Sequence, residues 1–180
     1  MRRVVIVSGP PGAGKSTVAR RLAQQVAAPL AMHIRTDDLY TYIRKGFVPP
    51  WMPEAMAQNI TLMDAMAAQA AVCARGGYRV FIDGIVGGWF FDPWLTAAQM
   101  HDLDLRYVLL LPDLPTTVAR AAARTEPGAM TDAGVAEQMW RAFHDFPVDP
   151  DHIVDTTRHT PVQSVEAVFD GLADGRFKLA

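Results

Sequence analysis

The chain has 180 residues, half of them apolar, and 17 basic against 19 acidic side chains give a formal net charge of −2. That length and apolar content suit one domain, 1–180, with a substantial core, and no block of like charge gives electrostatic ground for a nucleic-acid or membrane-surface partner, so the expected partner is a small molecule. The one cysteine, Cys73, cannot close an intramolecular disulfide and reads as a small core residue in a reducing compartment.

Met1-Arg2-Arg3 precedes a short apolar run, too short for a signal-peptide segment or a membrane span, so the expected location is the cytoplasm. That run, Val4–Ser8, is the first expected strand and feeds into Gly9-Pro10-Pro11-Gly12-Ala13-Gly14-Lys15-Ser16, which has the form of a phosphate-binding loop. Glycines let the backbone curl with its N–H groups inward around phosphate oxygens. Lys15 then neutralises charge on the β and γ groups, and Ser16 can hold magnesium. Thr17 opens a helix to Ala27 with Val18, Ala19, Leu22, Ala23 and Val26 at helical spacing, which brings the positive end of its dipole to the phosphates.

The second expected strand is Leu30–Ile34, in which His33 reads as a satisfied buried histidine. It is followed by Arg35-Thr36-Asp37-Asp38, with Leu39 and Tyr40 opening a helix. Ligands of a parallel sheet sit beyond the carboxyl ends of its strands. Asp37 is therefore the expected base that takes the proton of a hydroxyl attacking the γ-phosphate, with Asp38 either the helix cap or the alternative base. Lys45–Pro53 carries three prolines, a glycine and Trp51 and is irregular, a lid or a wall. Pro53–Arg75 is a long helix with Met56, Ile60, Met63, Ala67, Ala70 and Ala74 along one face, stopped by Gly76-Gly77.

The third strand, Arg79–Asp83, ends on a carboxylate that would bind magnesium directly or through water, or accept a hydrogen bond from Ser16, while Gly84 would keep the space near the phosphates clear. Gly87-Gly88-Trp89-Phe90-Phe91 follows, and another helix start is marked by Asp92-Pro93. Tyr40, Trp51 and Trp89 suit an apolar-walled acceptor site, for which core packing is the competing reading. Beyond the fourth strand, Leu105–Leu111, a helix over Pro115–Arg124 carries Arg120 and Arg124 four apart, positioned to stabilise the transferred phosphoryl group, with Arg141 a weaker third. A short lid is expected near 124–132. Thr131 and Thr160-Pro161-Val162-Gln163 mark the last two helix starts, and Thr157, after the fifth strand His152–Asp155, would border the adenine or ribose. Continuous apolar runs alternating with helices predict an α/β protein whose parallel strands are buried on both faces.

The phosphate loop, an aspartate after the second strand, Asp-Gly after the third, and an arginine-bearing helix before a short lid together resemble the P-loop small-molecule kinases. That group includes chloramphenicol phosphotransferase, gluconate and shikimate kinases and the zeta-toxin-like kinases. Within it, Ile34-Arg35-Thr36-Asp37-Asp38-Leu39 is similar to the chloramphenicol phosphotransferase segment bearing the catalytic aspartate, which assigns that role to Asp37. The resemblance implies a three-layer P-loop NTPase fold with five parallel strands in the order 2-3-1-4-5. It also implies ATP and Mg2+ as cofactors, bound at Gly9, Pro10, Pro11, Gly12, Ala13, Gly14, Lys15, Ser16 and Thr17 with Arg120 and Thr157, the metal on Ser16 and Asp83. The expected reaction is transfer of the γ-phosphate to a hydroxyl of a small molecule lying among Asp37, Asp38, Tyr40, Trp51, Asp83 and Trp89, by a monomer or homodimer. The competing readings are a nucleoside monophosphate kinase, an ATPase switch without acceptor, and a toxin-like kinase of a nucleotide-linked sugar.

Overall fold

The structure, a computed structural model, describes residues 2–125 and 130–180. Five strands, β1 (Arg3–Ser8), β2 (Ala31–Arg35), β3 (Arg79–Asp83), β4 (Asp104–Leu110) and β5 (Ile153–Val154), form one parallel sheet in the order β2-β3-β1-β4-β5. This is the order the family resemblance implies. Helices α1 (Lys15–Gln25), α2 (Thr36–Tyr40), α3 (Met56–Arg75), α4 (Phe91–His101), α5 (Leu114–Ala122), α6 (Ala133–Asp145) and α7 (Pro161–Ala173) connect and flank the strands.

The central strand explains the layering. Val4 to Val7 are fully buried, and because successive side chains leave a strand on opposite faces, Val5 and Val7 meet Val18 and Leu22 of α1 and Val165 and Val168 of α7. Val4 and Ile6 meet Met63, Met66, Ala67 and Ala70 of α3 and Trp94 of α4. Small alanines on α3 let that helix approach the sheet closely.

Two expectations change for geometric reasons. β2 has only intermediate burial because it is the edge strand, with one neighbour instead of two. The apolar stripe of α3 is buried from Met63 onward, whereas Met56 and Ile60 stand 50% and 43% exposed. A 20-residue helix runs about 30 Å, while a five-residue strand such as β3 spans roughly 17 Å, so the first turns of α3 outreach the sheet.

Side-chain caps fix the later helices. Asp113 accepts from Thr116 N at 2.8 Å at the start of α5, and Asp132, rather than Thr131, accepts from Val135 N at 2.9 Å at the start of α6. Thr160 and Gln163 form the expected capping box on α7. Among the described residues no helix is long and apolar enough to cross a membrane.

At the amino ends of the strands Asp104 receives Arg3 on one oxygen and Arg106 Nε, at 2.6 Å, on the other. Burial pushes its carboxyl up, but the hydrogen bonds and charges of the two guanidinium groups outweigh burial and hold it below the usual carboxylate range. A depressed folded-state pKa stabilises the fold above the ordinary carboxylate pKa, and that contribution is lost as pH falls through the folded value. Asp104→Asn should therefore lower the unfolding free energy by about 2 kcal/mol at neutral pH, since a buried arginine loses its partner. In denaturant titrations the gap to wild type should close in acid, and a gap that persists there would count against the charge pairing.

Candidate active site

Gly14, in a left-handed conformation with φ 94°, turns the loop directly into α1 at Lys15, so the first free N–H groups of the helix join those of the loop. The loop lies hard against α5: a Cβ on Gly12, where φ is +82°, would stand 2.8 Å from both Ala121 N and Thr117 O. Only glycine combines that backbone angle with that approach. Lys15 Nζ donates to Pro10 O at 3.0 Å, folding the ammonium over the loop it serves.

Asp83, 4% exposed at the end of β3, is held at both oxygens. Ser16 Oγ donates to Oδ1 at 3.0 Å, and His33 Nε2 lies 2.8 Å from Oδ2. The bond from Ser16 is one of the arrangements foreseen for this carboxylate. The expected role of Gly84 changes, because a Cβ there would strike Thr36 Oγ1 at 1.9 Å. The space it keeps is filled by the buried Thr36, which locks the start of α2 onto β3, and is not left open for phosphates.

That lock fixes where α2 presents Asp37. Asp37 is exposed in the first turn, and its charge acts on two neighbours. The Tyr40 hydroxyl is pushed up to about 12, mainly by burial and further by Asp37. The Lys15 ammonium is pushed down by burial, an effect opposed by the charges of Asp83 and Asp37 and reinforced by Arg124. Lys15, Asp83, Asp37 and Arg124 thus come from four separate segments into one electrostatic neighbourhood. Asp38 is exposed, 3.6 Å from Arg35 Nη1, and neither aspartate caps α2, whose N-cap is Arg35.

Arg120 and Arg124 do not share a helix face, because α5 ends at Ala122 and Arg124 follows its cap. Arg120 Nη2 donates instead to the carbonyls of Thr156 and Thr157, at 3.1 and 3.2 Å. Thr157 is itself held, donating to Asp155 Oδ1 and accepting from Asp113 N. Arg120, His159, Pro161 and Ser164 face Gly14 and Thr17 across a cavity of about 190 Å³ continuous with the phosphate loop. A larger hollow, about 540 Å³, is bounded by Arg2, Asp104, Arg106 and Lys178 at the opposite ends of the strands, away from the phosphate loop. Arg141 pairs with Glu137 at 2.8 Å on the exposed side of α6. Of the expected lid, 126–129 lie outside the described residues.

The aromatic candidates separate. Trp51 is 42% exposed on the segment after α2. That segment is clasped by α3: Gln58 bonds both N and O of Val48, at 3.0 and 2.7 Å, and buried Asn59 accepts from Tyr40 OH at 2.9 Å while donating to Pro50 O at 2.8 Å. It is a wall tied to the helix of Asp37. Trp89 instead packs on Phe143 and Phe146, with ring centroids 5.3 and 5.9 Å away, and supports the core as much as any cleft. His33 is satisfied, as its place in the second strand suggested, and Asp83 is the partner that the sequence did not name; Gln58 and Asn59 were missed, because each is identified only by a partner outside its own helix.

The donor set suits magnesium. Ser16 Oγ and the Asp83 carboxylate are hard oxygen donors 3.0 Å apart beside the loop, and magnesium is commonly bound by one or two protein oxygens, with phosphate and water completing its shell.

A family model described as an AAA domain matches residues 4–146. An adenylate kinase from Moorella thermoacetica is 32% identical over 119 residues, covering 66% of this chain and 43% of that protein, so the chain spans under half of this relative. A cytidylate kinase from Ignicoccus hospitalis is 25% identical over 93% of this chain and 95% of its own. Among solved structures, the tunicamycin resistance protein of Deinococcus radiodurans superposes with a TM-score of 0.67 at 14% identity, covering 94% of this chain and 95% of that one.

Proposed function

The chain belongs to the AAA domain family and has the fold of the P-loop kinases, and from that premise we propose that it is an ATP-dependent phosphotransferase moving the γ-phosphate to a hydroxyl of a small molecule. The observation that carries this reading is the convergence of Asp37, Lys15, Asp83 and Arg124 beside the phosphate loop. A loop that only bound nucleotide has no need of an exposed carboxylate within the field of its lysine.

In this reading the loop amides and Lys15 cradle the β- and γ-phosphates, and Asp37 orients the acceptor hydroxyl and takes its proton as the oxygen attacks phosphorus. Ser16 and Asp83 would hold magnesium, which when bound neutralises charge on the phosphate oxygens. The 190 Å³ cavity beside Arg120 and His159 receives the base and ribose. Tyr40 and the Phe47–Trp51 wall meet the body of the acceptor. The molecule works as one domain, and as cytoplasmic monomer or homodimer it needs no macromolecular partner for this chemistry.

The two arginines divide the work. Arg124 acts on the phosphoryl group in flight, so Arg124→Met should lower kcat by roughly two to three orders of magnitude. Arg120→Met should instead raise the KM for ATP several-fold with a smaller loss in kcat, because it braces the carbonyls of Thr156 and Thr157. Steady-state kinetics with varied ATP separates them; equal kcat effects would remove that division.

A nucleoside monophosphate kinase is the second reading, favoured by both curated relatives. It needs cations for a second phosphate, whereas Tyr40–Met56 offers only Arg44 and Lys45 among aromatic and apolar groups. The deciding experiment is ADP release against a panel of alcohol-bearing metabolites, sugar acids and antibiotics beside AMP and CMP. Stimulation by an alcohol supports the first reading, stimulation by a monophosphate the second, and acceptor-independent turnover sinks both.

A further inference from the structure

We propose that His33 is a positioning residue for the metal side of the phosphate site, fixing the Asp83 carboxylate so that Ser16 is presented in one orientation. This rests on the phosphotransfer reading above. β2 and β3 run in parallel with Arg35 beside Asp83 and His33 beside Phe81, so His33 stands one strand away and two residues back, on the same face as Asp83. From there Nε2 reaches Oδ2 at 2.8 Å, while Oδ1 is occupied by Ser16 Oγ at 3.0 Å.

A carboxylate offers lone pairs only, so the ring nitrogen facing it donates, and the ring is held with Nε2 protonated. The Asp83 side chain is 5% exposed and that of His33 16%. Little solvent is available to replace the bond between them. With one oxygen pinned by β2, rotation of the carboxyl group is blocked, and the other oxygen keeps the Ser16 hydroxyl hydrogen turned toward β3. The lone pairs of Ser16 Oγ are then left for an incoming cation. Partners of this kind, one bond removed from a metal ligand, change metal affinity by about 10- to 100-fold when removed.

The test is calorimetric binding of the non-hydrolysable analogue AMPPNP, in magnesium and in EDTA. Wild type should bind more tightly with magnesium. His33→Leu, which keeps the bulk and loses the N–H, should forfeit about 10-fold of that magnesium-dependent gain while its EDTA affinity stays within about twofold, because the loop amides and Lys15 are untouched. His33→Gln, which can return an N–H to the same region, should recover most of the gain. A full gain in His33→Leu overturns the proposal, as does a His33→Gln variant no better than His33→Leu. Should His33→Leu fail to fold, His33→Gln and nitrogen-15 NMR of the wild-type histidines carry the test: a His33 ring protonated only at Nδ1 rejects it. Wild type with no magnesium-dependent binding removes the phosphotransfer reading itself, whereas a normal wild type with an unaffected His33→Leu removes only the role of His33.

Discussion

Asp37→Asn should reduce kcat by about three orders of magnitude while leaving the dissociation constant for ATP within about threefold, the expected loss for a positioned general base. The substitution preserves shape and removes the charge and the basic lone pair. Its structural cost should be small, because Asp37 is exposed and its one side-chain bond among the described residues, from Thr36 Oγ1, is long at 3.4 Å. The same variant carries an internal check. Since the charge of Asp37 raises both the Tyr40 hydroxyl and the Lys15 ammonium, removing it should lower both, and the Tyr40 phenol, near 12 in the wild type, should titrate at lower pH in ultraviolet absorbance. Unchanged turnover would take Asp37 out of the reaction; unchanged tyrosine titration would take it out of this neighbourhood.

Lys15→Met should be more severe, with kcat/KM falling by roughly three orders of magnitude or more, because the lysine interacts with the phosphates in the ground state and with the charge that develops during transfer. Stability should scarcely change. The variant loses the bond to Pro10 O, about 1 kcal/mol net, but is also relieved of a half-buried ammonium. The wild type should show the matching pH signature. Burial pushes the Lys15 pKa down, so the free protein should lose ATP affinity on the alkaline side at a lower pH than an ordinary lysine would impose, and Lys15→Met should lack that alkaline limb. If Lys15→Met unfolded at markedly lower temperature, the activity loss would no longer report on phosphate chemistry, and Lys15→Arg, which keeps the charge, would be the informative comparison.

The fold and the site differ in how far each could be read along the chain. Val4–Ser8 and the loop after it were legible because strand, turn and helix signals sit side by side within about two dozen residues. The capping box at Thr160 and Gln163 was legible for the same reason. The end of α5 was not: Arg120 and Arg124 keep helical spacing, yet the helix stops at Ala122, and Arg120 turns to the carbonyl of Thr156. Gly84 misled in a similar way. Its lack of a side chain was evident, but what occupies the space, Thr36, arrives from the start of α2.

The sequence alone therefore determined the phosphate-loop motif, the alternation of strands and helices, and the carboxylates that follow the second strand and close the third. Local residue order is sufficient for these, because a turn needs its glycines and a strand its apolar run within a few positions. Only the tertiary structure decided that Asp83 is shared between Ser16 and His33, that Asn59 ties Tyr40 to the segment bearing Trp51, and that Arg124 rather than Arg120 enters the field of Lys15. Such pairings depend on strand order and on where helices end, and hydrogen bonds or charges can act across 50 residues of chain only when packing has already brought those elements within a few ångströms.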